Sequence, residues 1–196
     1  VSLRLIIYQH NSQFLGKIMK GIVKSFVTIS ALSSLVVAPL FLNAGQASAQ
    51  TQKGTDASYI GAGVAGGVTD GGQVGQDAQF GGNVSGRLKL GPTPFSARTQ
   101  ILFTDQTTAI IPQVSVDAPI AKGTNVFLGA GYSFVEANGK QTPLGDRDGV
   151  ALTAGVESEV AKNFLIYSNA TVGMKTYQNS PASAVSIQGG LGYRFR

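Results

Sequence analysis

The 196-residue sequence contains no cysteine, which excludes disulfides, thiolate metal sites and cysteine nucleophiles. Histidine is nearly absent as well. His10 is the single one, so a histidine triad, a histidine metal cluster or imidazole acid/base chemistry has nothing to work with downstream of it. That argues against acyl-transfer and esterase chemistry; no catalytic residue, cofactor or bound metal is expected, and the chain reads as a non-enzyme. There is also no long heptad pattern and no charged low-complexity tail. Apolar residues (43%) and glycine (26 residues) are what the chain has in quantity, and together with its length they suit one domain with one core.

The formal charge of +5 does not point to nucleic acid, because the excess is local. Arg4, Lys17, Lys20 and Lys24 lie in a segment without acidic residues, whereas from Gln50 onward 11 basic residues face 10 acidic ones. The same N-terminal segment reads as an address. Lys20 and Lys24 form a basic region after Met19, Phe26 to Leu42 form an apolar region, and Ala47-Ser48-Ala49 is a small-residue cleavage site. The expected organisation is an over-extended gene start over 1–18, a signal peptide over 19–49, a short periplasmic lead over 50–57, and one domain over 58–196. An uncleaved membrane anchor over about 25–44 is the alternative, weakened by Pro39 and several hydroxyl residues.

From Ser58 onward, stretches of about ten residues alternate apolar with small or polar side chains. Phe80, Val84, Leu88 and Leu90 share one parity, while Gln79, Asn83, Ser85, Arg87 and Lys89 take the other. Eight such strands are predicted: 58–68, 79–90, 95–104, 109–120, 126–135, 150–160, 164–176 and 184–195. The links at 91–94, 121–124 and 161–163 are tight, and those at 70–78, 136–148 and 177–182 are longer and rich in Gly, Asn, Asp and Pro. Residues 105–108 are a short link where a long one is due. The pattern predicts an all-β fold: an eight-stranded antiparallel up-and-down β-barrel with short turns on one rim and long loops on the other. The tight turns carry a weak repeat, Pro119-Ile-Ala-Lys122 and Glu159-Val-Ala-Lys162.

Alternation alone does not say which face is inside, since a soluble lipocalin-like carrier and a membrane barrel are inverses. Three features favour the membrane barrel. Aromatics of the apolar face fall at strand ends, Phe80, Phe103, Tyr132 and Phe134 at the long-loop rim and Phe95, Phe164, Tyr193 and Phe195 at the short-turn rim, as two interfacial girdles would. Charges keep to the other face: Arg87, Lys89, Arg98, Asp117, Glu157, Glu159, Lys175, Arg194 and Arg196. That face also holds many glycines, which make room in a narrow interior. About ten residues at roughly 3.3 Å each, tilted near 45°, reach close to the apolar height of about 25 Å that such barrels need.

With these features and the closing Gly190-Gly-Leu-Gly-Tyr-Arg-Phe195, the chain resembles the small outer-membrane β-barrel superfamily of opacity-type and OmpA-like transmembrane domains. The resemblance covers about 58–196 and lies in architecture rather than in a catalytic motif; the family's terminal Phe is here followed by Arg196. It implies a monomer in the outer membrane of a diderm bacterium, in contact with outer-membrane lipid and lipopolysaccharide. It also implies passage through the Sec translocon and insertion by the barrel-assembly machinery.

Several motifs weigh less. Gly61-Ala-Gly63-Val-Ala-Gly66 fits a dinucleotide fingerprint but is followed by a turn, not by the helix that would hold a pyrophosphate. Asp146 with Asp148, and Asp70 with Asp77, read as solvated loop residues rather than cation ligands. The sequons at Asn83 and Asn169 fall mid-strand on the lumen side. The most informative chemistry is the set Arg87, Arg98, Asp117, Glu157 and Arg194, which the strand assignment brings to the short-turn end of the lumen. Charges confined there are expected to pair, as a plug or as the constriction of a narrow porin-like channel.

Overall fold

The computed structural model describes residues 54–74 and 76–195. The expected gene start, signal peptide and cleavage site lie outside the described residues. Eight antiparallel strands close on themselves in chain order: β1 (Ser58–Gly67), β2 (Phe80–Lys89), β3 (Phe95–Phe103), β4 (Thr108–Ala121), β5 (Thr124–Val135), β6 (Gly149–Ala161), β7 (Phe164–Met174) and β8 (Ala184–Phe195). Closure is made by β1 against β8, with Tyr59 opposite Arg194 and Gly63 opposite Gly190, so neither terminal strand leaves an open edge.

Strand limits agree with the alternation to within two residues throughout. β7 stops at Met174 because Lys175 takes a left-handed φ of 54°, which turns the chain out of the ladder. Lys175 is therefore an exposed loop residue and not a lumen charge. In β4 the ladder to β5 runs from Ile110 opposite Phe134 to Gln113 opposite Gly131 and skips Ile111 and Pro112. Pro112 has no N–H to donate, so the rung is lost there without ending the strand.

The two faces have opposite chemistry. Ile60, Val64, Val114, Leu128, Leu152 and Ile166 are exposed on the outside, with Leu128 at 70%. Asn83, Ser85, Gln100, Gln113, Thr153, Asn169, Thr171 and Gln188 are buried inside. A soluble carrier would show the reverse; an apolar outer band around a polar interior is that of a barrel spanning a bilayer. The eight aromatics assigned to girdles all stand on the exterior, at the strand ends named above. Within each rim some touch, Tyr132 and Phe134 with ring centroids 4.9 Å apart and Phe164 and Tyr193 at 5.6 Å.

The interior is more apolar than its parity suggests. Tyr59, Leu165 and Tyr167 form a buried cluster, and Leu102, Ile111, Leu144 and Tyr177 belong to another. Glycines on neighbouring strands make space for the rings. A Cβ at Gly155 would come within 2.6 Å of Phe127, and one at Gly190 within 2.5 Å of the Tyr167 hydroxyl.

Candidate functional site

Register explains how the charges meet. Arg87 on β2 and Arg98 on β3 are directly opposite each other, a like-charge pairing that is unfavourable by itself. Asp117 from β4 and Glu157 from β6 resolve it, each carboxylate bridging both arginines. Arg87 Nη2 donates to Asp117 Oδ2 at 2.9 Å and Arg98 Nη2 to Asp117 Oδ1 at 2.8 Å. Arg98 Nη1 donates to Glu157 Oε2 at 3.0 Å, and Arg87 Nη1 pairs with Glu157 Oε1. The result is a closed ring of two cations and two anions, neutral overall, with the Arg87 and Glu157 side chains at 0% exposure.

Almost every remaining polar atom of the ring is occupied. Arg87 Nε donates to Ser96 Oγ at 3.0 Å and Arg98 Nε to Ser115 Oγ at 2.8 Å, while both hydroxyls bond Asp117. The Thr55 carbonyl accepts from Arg87 Nη1 at 3.2 Å and from Asn125 Nδ2 at 2.8 Å. Residues 54–57, just before β1, are thus folded into the lumen end, with Thr55 and Ala57 buried. Arg98 also lies 3.7 Å above the Phe127 ring centroid. A buried charge network is tolerable only when satisfied to this degree.

Arg194 does not join the ring, which corrects one member of the expected set. Its Nη2 pairs with Glu159 at 2.6 Å and its Nη1 donates to the Lys162 carbonyl at 3.3 Å, both at the short-turn rim. The reason is packing. Tyr59 and Leu165 close over Gly192, where an added Cβ would meet each at 3.0 Å, and fill the space between β8 and the ring. Of the residues that complete the ring, Ser96, Ser115, Asn125 and Tyr59, whose hydroxyl accepts from Arg98 Nη1 at 3.3 Å, are not singled out by sequence reading. The inward parity of Ser96, Ser115 and Tyr59 follows from the predicted strands, Asn125 lies just before the predicted start at 126, and which of them share a level depends on register.

The opposite mouth is closed by the β5–β6 loop. Gln141 to Asp146 are all buried. Thr142 Oγ1 donates to the Gly145 carbonyl at 2.7 Å, forming a tight turn that projects Leu144 into the apolar cluster below. Asp146 holds the turn in place, accepting from the Gln178 N–H at 2.8 Å and from the Gln76 and Gln141 side-chain amides, each at 3.3 Å. Asp148 accepts from the Val135 N–H at 2.7 Å. Asp146 is thus a buried structural acceptor and not a solvated loop residue, Asp148 is a half-buried acceptor, and Asp70 and Asp77 are exposed. Thr104 donates to the Gln141 carbonyl at 2.9 Å, so the short β3–β4 link joins the same cap. Among the described residues no cluster of acidic or histidine side chains could hold a metal.

Asp146→Ala should leave three donors without their acceptor and loosen the cap by about 1 to 3 kcal/mol. Hydrogen exchange should then quicken at Gln178 and in the β5–β6 loop while the strand amides keep their protection; unchanged loop exchange would refute the latch. Tyr177, whose hydroxyl donates to the Thr69 carbonyl at 2.8 Å, ties the β7–β8 loop to the β1–β2 loop. Burial above all raises its phenol above the ordinary 10.0, against the opposing hydrogen bond to the Thr69 hydroxyl 3.3 Å away, and the Asp70 and Asp146 carboxylates add to the rise. A raised folded value means that this contribution is complete below pH 10 and is lost as pH climbs through the folded value. Absorbance titration of the parent against Tyr177→Phe should place its ionisation above the ordinary phenol value of 10.0.

No protein-family model matches the sequence, and no curated protein does. Solved structures with a similar fold include Neisserial surface protein A, 14% identical with a TM-score of 0.49 over 70% of this chain and 97% of that one. The attachment invasion locus protein Ail of Yersinia pestis is 15% identical, with a TM-score of 0.45 over 72% of this chain and all of that one. A de novo designed transmembrane β-barrel is 11% identical, with a TM-score of 0.47 over 74% of this chain and 100% of the design.

Proposed function

We propose that this chain is a non-enzymatic barrel of the bacterial outer membrane whose lumen is sealed, and that it serves the envelope through its rigid wall and its outward loops rather than by passing solutes. The observation that carries this reading is the Arg87–Asp117–Arg98–Glu157 ring, which joins β2, β3, β4 and β6 across the lumen. An aqueous pore would leave such charges to water, and a plug needs them paired with one another. The buried β5–β6 loop supports the same reading from the other mouth. Lipid and lipopolysaccharide are the surroundings this assigns, with the Sec translocon and the barrel-assembly machinery as partners in biogenesis and a monomer as the working unit.

Expression in a diderm host with fractionation of the envelope tests the location. The protein should enter the outer-membrane fraction and, unboiled, migrate on SDS gels as a compact species that heat converts to a slower one. Recovery as a soluble periplasmic protein with no heat-dependent shift would overturn the proposal.

A further inference from the structure

The sealed lumen makes no use of the two repeated hairpins. Ile120-Ala121-Lys122-Gly123 joins β4 to β5, and Val160-Ala161-Lys162-Asn163 joins β6 to β7. The structures match beyond the sequence. A register shift falls between Pro119 and Ala121 in the first and between Glu159 and Ala161 in the second. The carbonyl ending each turn accepts from the neighbouring strand, Gly123 from Glu159 N–H on β6 at 2.9 Å and Asn163 from Arg194 N–H on β8 at 2.8 Å.

Ile120 and Val160 keep the outward parity of their strands and stand on the outer surface, 41% and 55% exposed. Two residues on, Lys122 and Lys162 are exposed, and neither makes a salt bridge among the described residues. An apolar side chain and an ammonium held this close together are both accommodated at one depth of a bilayer, where acyl chains give way to headgroup phosphates.

The charges of the whole barrel are sorted the same way. At the short-turn rim Lys89, Lys122, Lys162 and Arg194 outnumber Asp56 and Glu159. At the long-loop rim Asp70, Asp77, Asp105, Glu136, Asp146 and Asp148 outnumber the basic residues Lys140, Arg147 and Lys175. We infer that the short-turn rim binds the phosphate groups of an anionic phospholipid leaflet, with Lys122 and Lys162 as paired phosphate contacts and Ile120 and Val160 as the acyl-chain anchors beside them. This rests on the reading of the chain as a membrane barrel.

Spin-labelled phosphatidylglycerol and phosphatidylcholine, compared by electron paramagnetic resonance around the full barrel in phosphatidylcholine bilayers, separate the two claims. At low salt the parent should retain phosphatidylglycerol over phosphatidylcholine by up to about fivefold for each lysine. The preference should fall toward parity in Lys122→Gln/Lys162→Gln and persist in Lys122→Arg/Lys162→Arg. Lys140→Gln at the other rim should leave it unchanged. Should the glutamine variant not fold, added salt should abolish the preference of the parent. A parent without preference, a preference indifferent to salt, or a glutamine variant that keeps the parental ratio overturns the inference while the membrane barrel stands. Failure of the parent to insert into any bilayer overturns both.

Discussion

Glu157→Ala should cost the barrel about 3 to 5 kcal/mol of folding free energy in lipid vesicles, because it leaves one positive charge uncompensated in a buried site. The Glu157 carboxylate accepts from Arg87, from Arg98 at 3.0 Å and from Asn125 at 3.3 Å, and its side chain is wholly buried. Alanine offers none of these donors a partner, and two guanidinium groups then share Asp117 alone. Adding Arg98→Met removes the excess charge and leaves Arg87 with Asp117, so the double variant should recover part of the loss. Urea titrations read by the heat-dependent gel shift measure both. A Glu157→Ala barrel as stable as the parent would show that the ring contributes nothing.

The second large effect lies on the other face. Ala154→Arg is expected to destabilise the folded barrel by about 2 to 4 kcal/mol, the penalty for a cation near the middle of the apolar band. Ala154 sits near the middle of β6, opposite Leu128 on β5 and Ala170 on β7, and is exposed on the outside. Val160→Arg, on the same strand and face but beside the short turn, should cost only about 0 to 1 kcal/mol, because the side chain reaches the interface. Thr153→Arg is a different experiment. Thr153 Oγ1 bonds Thr171 Oγ1 at 3.0 Å inside a filled lumen, so its failure would come from overpacking and not from lipid. Equal costs at Ala154 and Val160 would remove the membrane orientation.

Much of this architecture is legible in the sequence, because a bilayer-spanning strand must alternate and each strand here is short enough for one unbroken parity. The inward direction of Arg87, Arg98, Asp117 and Glu157 follows from that parity. Arg194 has the same parity, but its level in the lumen depends on the stagger between strands and on the bulk of Tyr59 and Leu165, neither of which alternation records. The inward aromatics Phe127 and Tyr167 are hidden for a related reason: they break the small-or-polar pattern of the lumen face, and the glycines that admit them, Gly155 and Gly190, lie on neighbouring strands. The β5–β6 loop reads as solvated by composition. Its one apolar side chain between the glycine turns, Leu144, was the available sign that it folds inward, and Asp146 reads as exposed only until Gln76, Gln141 and Gln178 are brought to it by three different loops.

The central claim is that the lumen is closed at both ends, by the charge ring below and by the β5–β6 loop above. Single-channel recording of the parent barrel in a planar bilayer tests it most directly. A sealed barrel leaves the current at that of the bare membrane, apart from brief openings when the loop detaches. A steady stepwise conductance from the unmodified protein would contradict the account and make the ring the constriction of a narrow channel instead.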